Sequence, residues 1–257
     1  MIEVEHLAKS FGDLCVLDDV SLTIQDGETL AIIGRSGSGK SVFMKHFVGL
    51  LKPDTGRVLV DGTNIFDIPY DDLREVRRKF GVLFQGGALF DSMDTFGNIA
   101  FPLRNFTTMK ESEVAGRVQE CLDLVKLSDV GGKKPSELSG GMRKRVALAR
   151  AIALEPRYIL YDEPTSGLDP ETSNTIDELI HTLSDELSVT SVVVTHDMHS
   201  VLSIADRVAF LHNTTLHWVG PVAELHQSDD PVLDAFVKAN QYQIGDPGSI
   251  ITERSSS

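Results

Sequence analysis

Gly34-Arg35-Ser36-Gly37-Ser38-Gly39-Lys40-Ser41 matches the pattern G-x-x-x-x-G-K-[ST]. Glycines at these spacings let successive backbone N–H groups turn inward around a phosphate, and a helix that follows offers its positive N-terminus to the same anion. Both flanks agree with such a loop. Thr29-Leu30-Ala31-Ile32-Ile33 is a short buried-strand run, and residues 41–51 space Val42, Phe43, Phe47, Leu50 and Leu51 as a helix does. Lys40 is therefore expected to reach the β- and γ-phosphates of a nucleotide, and the Ser41 hydroxyl to ligate Mg²⁺. In a chain of 257 residues the bare pattern arises by chance about one time in a hundred, and the flanking strand and helix lower that further.

Before this unit the chain alternates in strand fashion at Ile2/Val4, Val16-Leu17 and Val20/Leu22/Ile24, with turn signals at Gly12-Asp13 and Asp26-Gly27. After it, buried strands are predicted at 58–60, 80–84, 158–161 and 191–195, with 208–211 and 216–219 later. Residues 94–154 read as helical apart from the break at 131–135. Within them Val114, Val118, Cys121, Leu122 and Val125 recur at three and four. A helical block set among the strands of an alternating α/β chain predicts a subdomain budding from a parallel sheet. Residues 241–257 hold Gly, Pro and Ser, end in three serines, and read as a frayed tail.

Composition narrows the class. There are 24 Lys and Arg against 38 Asp and Glu, a formal charge of −14, which argues against a nucleic-acid coat and predicts no nucleic-acid partner. The apolar runs are far shorter than the roughly 20 residues of a membrane span, and Met1 leads straight into Ile2-Glu3-Val4-Glu5 with no signal-peptide pattern. Cys15 and Cys121 make neither a disulfide framework nor a zinc set, so a cytoplasmic location is expected.

A nucleotide-hydrolysing site needs a carboxylate at the end of a buried strand. Tyr158-Ile159-Leu160-Tyr161-Asp162-Glu163 supplies Asp162, beside the metal's direct ligands, and Glu163, placed to polarise an attacking water. Gln85 ends one predicted strand, where its amide can meet Mg²⁺ and water, and His196 ends another, within reach of the γ-phosphate. Leu138-Ser139-Gly140-Gly141-Met142 opens a helix and forms a second phosphate cradle. One nucleotide does not need two cradles from one chain, so the second is expected to serve a nucleotide held by another subunit.

The order P-loop, Gln85, Leu138–Met142 segment, Asp162-Glu163, Ser166-Gly167-Leu168-Asp169 and His196 resembles the nucleotide-binding subunit of ATP-binding-cassette (ABC) transporters, over roughly residues 1–240. The resemblance implies an α/β P-loop NTPase with a RecA-like parallel sheet core, an N-terminal antiparallel β subdomain and an inserted α-helical signature subdomain. Residues 1–93 and 155–240 would form the α/β core, 94–154 the helical subdomain and 241–257 the tail. It implies an ATPase with ATP and Mg²⁺ as ligands. Phe11 would stack on adenine, its alternative being a core-facing strand residue. Residues 34–41 would cradle phosphate, Ser41, Gln85 and Asp162 would serve the metal, and Glu163, His196 and Gln85 would serve hydrolysis. Ser139, Gly140, Gly141 and Asp169 would act across a head-to-tail homodimer, under an integral membrane permease. Met142 stands where the family usually has Gln, but the signature chemistry comes from Ser139 and the glycine amides.

Residues 84–93, residues 98–104 and Met142 resemble more narrowly the ATPases of mammalian-cell-entry (MCE) phospholipid transport systems. That implies an MCE-domain lipid-binding partner, a small accessory subunit, and a peripheral place on the cytoplasmic face of the inner membrane. Phe90, Phe96 and Phe101 either line a groove for the permease or form the small core of the helical subdomain. The clusters Arg74/Arg77/Arg78/Lys79 and Arg143-Lys144-Arg145 read as solvated helix faces, with a lipid- or permease-facing role for the first as the alternative. Competing classes are an ABC ATPase for another cargo such as amino acids, a soluble ABC protein of DNA repair or ribosomes, and a P-loop kinase. The last leaves 138–142, Gln85 and His196 without a role.

Overall fold

The computed structural model describes residues 1–225 and 227–241. The alternating N-terminus becomes a hairpin of β1 (Ile2–Phe11) and β2 (Leu14–Ile24), with Ile2 opposite Ile24 and Phe11 opposite Leu14 across the Gly12-Asp13 turn. β3 (Thr29–Ile33) and α1 (Lys40–Phe47) follow, and β4 (Thr55–Val60) and β5 (Thr63–Asn64) return to complete an antiparallel sheet of order β2-β1-β4-β5. Next come α2 (Tyr70–Arg78), β6 (Phe80–Leu83), α3 (Thr95–Phe106), α4 (Glu111–Leu124) and α5 (Gly140–Ile152). The chain ends in β7 (Tyr158–Asp162), α6 (Pro170–Leu187), β8 (Thr190–Val194), α7 (Met198–Ile204), β9 (Arg207–His212), β10 (Thr215–Pro221) and α8 (Pro231–Gln241).

The second sheet runs β10-β9-β3-β8-β7-β6, parallel throughout except for β10 at one edge. Every residue of β3, β7 and β8 is buried, as strands covered on both faces must be. Their period-two alternation splits the core. Leu30, Ile32, Tyr158, Leu160, Val192 and Val194 pack with Phe43 and Phe47 of α1 and with the inner face of the antiparallel sheet. Ile159, Tyr161 and Val193 face the opposite way, into a core shared with α3 to α6. Ala31 and Ile33 join Val208 and Phe210 against α7 and α8.

The helical reading of 94–154 resolves into α3, α4 and α5 with a short 3₁₀ turn at Pro135–Glu137. These helices lie in sequence between β6 and β7, which are hydrogen-bonded neighbours in the sheet, so the block is an insertion into the parallel core. The helix expected over 41–51 stops at Phe47, because Gly49 takes a left-handed φ of +64° and its N–H closes back on the His46 carbonyl. No helix among the described residues is long and apolar enough to cross a membrane. The predicted tail, save Gln241 at the end of α8, lies outside the described residues.

Candidate nucleotide site

Strands β3, β8, β7 and β6 lie side by side, and four of the predicted functional segments follow their carboxyl ends. Residues 34–41 follow β3, His196 follows β8, Asp162 and Glu163 end β7, and Gln85 follows β6. This is where open α/β sheets place ligands. Gly39 caps α1 with φ +95°, and a Cβ there would meet Val16 Cγ1 and its carbonyl oxygen at 3.0 Å. A Cβ on Gly34 would sit 2.5 Å from the Leu211 carbonyl oxygen and 2.6 Å from Ser38 Oγ, so the loop closes tightly on β9. Ser38 Oγ is buried without a hydrogen-bond partner, an unmet polar group of the kind a phosphate cradle presents. Arg35, Ser36 and Gly37 form the exposed crest.

Lys40 is 6% exposed, and its ammonium donates to the carbonyls of Gly34 at 2.8 Å and Arg35 at 3.1 Å. Burial pushes its pKa down, against the opposing pull of the Glu163 and Asp162 carboxylates. Ser41 Oγ donates to Asp162 Oδ1 at 2.7 Å, so the two residues expected beside the metal are in direct contact. Glu163 takes a left-handed φ of +49°, its N–H donating to the Val194 carbonyl at 2.8 Å. Its carboxylate oxygens lie 3.0 and 2.9 Å from His196 Nδ1. A pocket of about 570 Å³ opens here, walled by Glu163, His196, Ser166, Gly167 and Leu168. Gln85 is exposed and its amide donates to Ser166 Oγ at 3.3 Å.

Ser139 caps α5, its Oγ accepting from the Met142 N–H at 3.2 Å. Asp169 caps α6 in the same way. Its carboxylate accepts from the Thr172 hydroxyl at 2.7 Å and the Thr172 N–H at 3.0 Å, and these bonds hold its pKa below the usual carboxylate range. Gly140 and Gly141 adjoin Leu168 and Thr172, so the second cradle is built against the start of α6 rather than against the phosphate loop. Phe11, at the end of β1, is 47% exposed with Lys9 Nζ 5.5 Å from its ring centroid. It does not face the core.

Three expectations change. Phe90 and Phe101 pack with ring centroids 4.8 Å apart and line a groove of about 570 Å³, but Phe96 packs on the helical core under the Arg104 guanidinium. The basic cluster of α2 divides. Arg74 and Arg78 pair with Asp71 and Glu75 at 3.9 and 3.1 Å, whereas Arg77 caps α1 by donating to the Val48 and Gly49 carbonyls at 2.9 and 3.0 Å. Lys144 is not on a solvated face. It is 6% exposed and its ammonium donates to the carbonyls of Gln85 and Glu163, the latter at 3.1 Å. Arg150, also missed, donates to the carbonyls of Ala88 at 2.8 Å and Gly87 at 2.9 Å. The signal was there, since Gly141, Lys144 and Leu148 share one buried helix face.

A parallel sheet with a phosphate loop after one strand and an acidic strand end beside it defines a P-loop NTPase. A family model described as "ABC transporter" matches residues 17–166. The chain belongs to the ABC transporter family and is an ATP-binding ATPase. It is 45% identical over 240 residues to the "Probable ribonucleotide transport ATP-binding protein mkl" of Mycobacterium leprae, covering 93% of this chain and 69% of that protein. It is 42% identical over 238 residues to the "Intermembrane phospholipid transport system ATP-binding protein MlaF" of Haemophilus influenzae, covering 93% and 90%. It is 41% identical over 245 residues to the "Methionine import ATP-binding protein MetN" of Clostridium acetobutylicum, covering 91% and 76%. The dimeric post-hydrolysis structure of an ATP-binding cassette bound to ADP and Pi superposes with a TM-score of 0.80 at 34% identity, covering 86% and 99%.

Proposed function

We propose that this chain powers phospholipid movement through a separate membrane permease, hydrolysing ATP at two sites shared between the copies of a homodimer. The convergence of Lys40, Ser41, Asp162, Glu163 and His196 at adjacent strand ends carries the hydrolytic part. Residues 34–41 bind the phosphates and Phe11 stacks on the adenine. Ser41 and Asp162, with Gln85, suit Mg²⁺, which takes hard oxygen ligands from one or two protein groups plus substrate phosphates. Bound there, Mg²⁺ would neutralise charge developing on the β- and γ-phosphate oxygens. Glu163 accepts the proton of the attacking water, His196 holds that carboxylate and faces the γ-phosphate, and Gln85 helps orient the water. Ser139, Gly140 and Gly141 of one copy close over the nucleotide of the other, and Asp169 lies at the crossing. The dimeric relative bound to ADP and Pi supports this pairing.

The groove lined by Phe90, Phe101 and Arg74 receives the permease, holding the chain peripherally at the cytoplasmic face. Similarity over 90% of the phospholipid-system relative supports lipid as cargo, with an MCE-domain protein and a small accessory subunit as further partners. The methionine-import relative, at 41%, supports an amino-acid importer as the second reading. Glu163→Gln tests the hydrolytic reading: turnover should cease while ATP is still bound, and normal turnover would remove Glu163 as the base. Neighbouring reading frames test the cargo. A permease beside an MCE-domain protein is expected, and a periplasmic amino-acid-binding protein in its place would overturn the lipid reading.

A further inference from the structure

The carbonyls of Gln85 and Glu163 lie just past the ends of β6 and β7, beyond the last sheet pairings of those strands with each other and with β8, which are Leu83 with Tyr161 and Asp162 with Val194. Backbone acceptors at such a place need another donor. A single side chain supplies both. Lys144 Nζ donates to the Gln85 carbonyl and, at 3.1 Å, to the Glu163 carbonyl. Lysine is almost never fully buried unless paired, yet here it is 6% exposed on the inner face of α5. Two turns further along the same helix, Arg150 holds the Gly87 and Ala88 carbonyls, so α5 grips both ends of the 85–88 segment.

We propose that Lys144 is a positioning residue for ATP hydrolysis, clamping the Gln85 and Glu163 backbones together and so fixing the aim of the Glu163 carboxylate. The proposal rests on Glu163 being the base. At Glu163 the clamp acts on a backbone that is already uncommon for a non-glycine residue, with a φ of +49°. Its N–H is fixed by the Val194 carbonyl on one side and its own carbonyl by Lys144 on the other. The ammonium of Lys144 donates to the backbones of these two residues and acts through them. Misplacing a reacting group by about 1 Å can cost on the order of 100-fold in rate.

The test uses the full chain with Lys144→Met, which keeps the length and loses the donors, and Lys144→Arg, which keeps donors. Steady-state ATPase activity, binding of a fluorescent ATP analogue and thermal melting are measured for each. For Lys144→Met, kcat should fall about tenfold or more, with KM and analogue affinity within about twofold. Lys144→Arg should recover most of that loss. A kcat for Lys144→Met within about twofold of wild type would overturn the proposal. So would a parallel loss of nucleotide affinity, or no recovery with Lys144→Arg. Glu163→Gln run alongside separates the two failures. Normal turnover in that variant defeats the Glu163 reading and this one with it, whereas an inactive Glu163→Gln beside an unslowed Lys144→Met defeats only this one.

Discussion

Asp61 stands in the turn between β4 and β5 and ties the antiparallel sheet to the parallel one. Its carboxylate accepts from the Tyr158 hydroxyl at 2.6 Å and from Lys79 Nζ at 2.7 Å, and lies 3.0 Å from an Arg157 nitrogen. Arg157 and Tyr158 lead into β7, whose far end carries Asp162 and Glu163. Burial alone would raise the carboxyl pKa. The hydrogen bonds from Lys79 and Tyr158 and the charges of Lys79 and Arg157 outweigh it and hold the pKa at about 2, down from 3.8. A depressed folded-state pKa stabilises the fold above the unfolded value and loses that contribution as pH falls through the folded one. The unscreened shift corresponds to about 2.4 kcal/mol. Asp61 is 20% exposed, but Lys79 and Arg157 are 43% and 49% exposed, so solvent screening reduces the figure to about 1 kcal/mol. Asp61→Asn should therefore lower the urea unfolding free energy by about 1 kcal/mol at pH 7. The gap to wild type should shrink to roughly half by pH 3, since the unfolded-state carboxyl is then mostly protonated while the folded one, with its pKa at about 2, is still mostly ionised, and the remainder is lost only as pH falls through the folded value. A gap below about 0.3 kcal/mol at pH 7, or one that stays constant between pH 7 and pH 3, would refute the reasoning.

Two further outcomes follow from the geometry of the site. Phe11→Ala should weaken ATP binding by about 1–2 kcal/mol, the scale of base–aromatic stacking, with Phe11→Trp restoring it; because the ring is half exposed, thermal stability should barely move, and unchanged ATP affinity would remove Phe11 from the site. Gly141→Ala would bring a Cβ to 2.4 Å from Thr172 Cγ2 and should destabilise the fold by about 1–3 kcal/mol in urea. Thr172→Ser removes that methyl yet keeps the hydroxyl on Asp169, so the double variant should regain most of the loss, and no regain would place the strain elsewhere.

What could be read in the sequence was whatever one stretch of chain specifies by itself. The phosphate loop carries its glycines, lysine and hydroxyl within eight positions, and β3, β7 and β8 announce burial on both faces by continuous apolar runs. α6 was equally legible, with Asp169 as cap, Pro170 in the first turn and Ile176, Leu179, Ile180 and Leu183 along one face, but the reading of 166–169 as chemistry stopped short of it. α2 was not, because Val76 alone is buried and a periodicity needs more than one point. Phe96 takes the core alternative and Phe101 the groove for a geometric reason: five residues along a helix is a rotation of about 140°, so the two do not share a wall.

Lys144 shows where a linear reading stops. A lysine between two arginines reads as solvated surface unless the face it shares with Gly141 and Leu148 is traced, and what it satisfies there shows only once the strand ends above it are known. The carbonyls it satisfies lie just past β6 and β7, strands separated in sequence by the whole helical insertion and joined only in the sheet. The demand for a buried cation is thus created by topology, whereas the chemistry of ATP is declared by local motif. A variant at Lys144 reports on the first and one at Lys40 on the second. If sheet topology sets the aim of Glu163, the two should differ in kind, Lys40 substitutions acting on nucleotide affinity and Lys144 substitutions on turnover of nucleotide already bound.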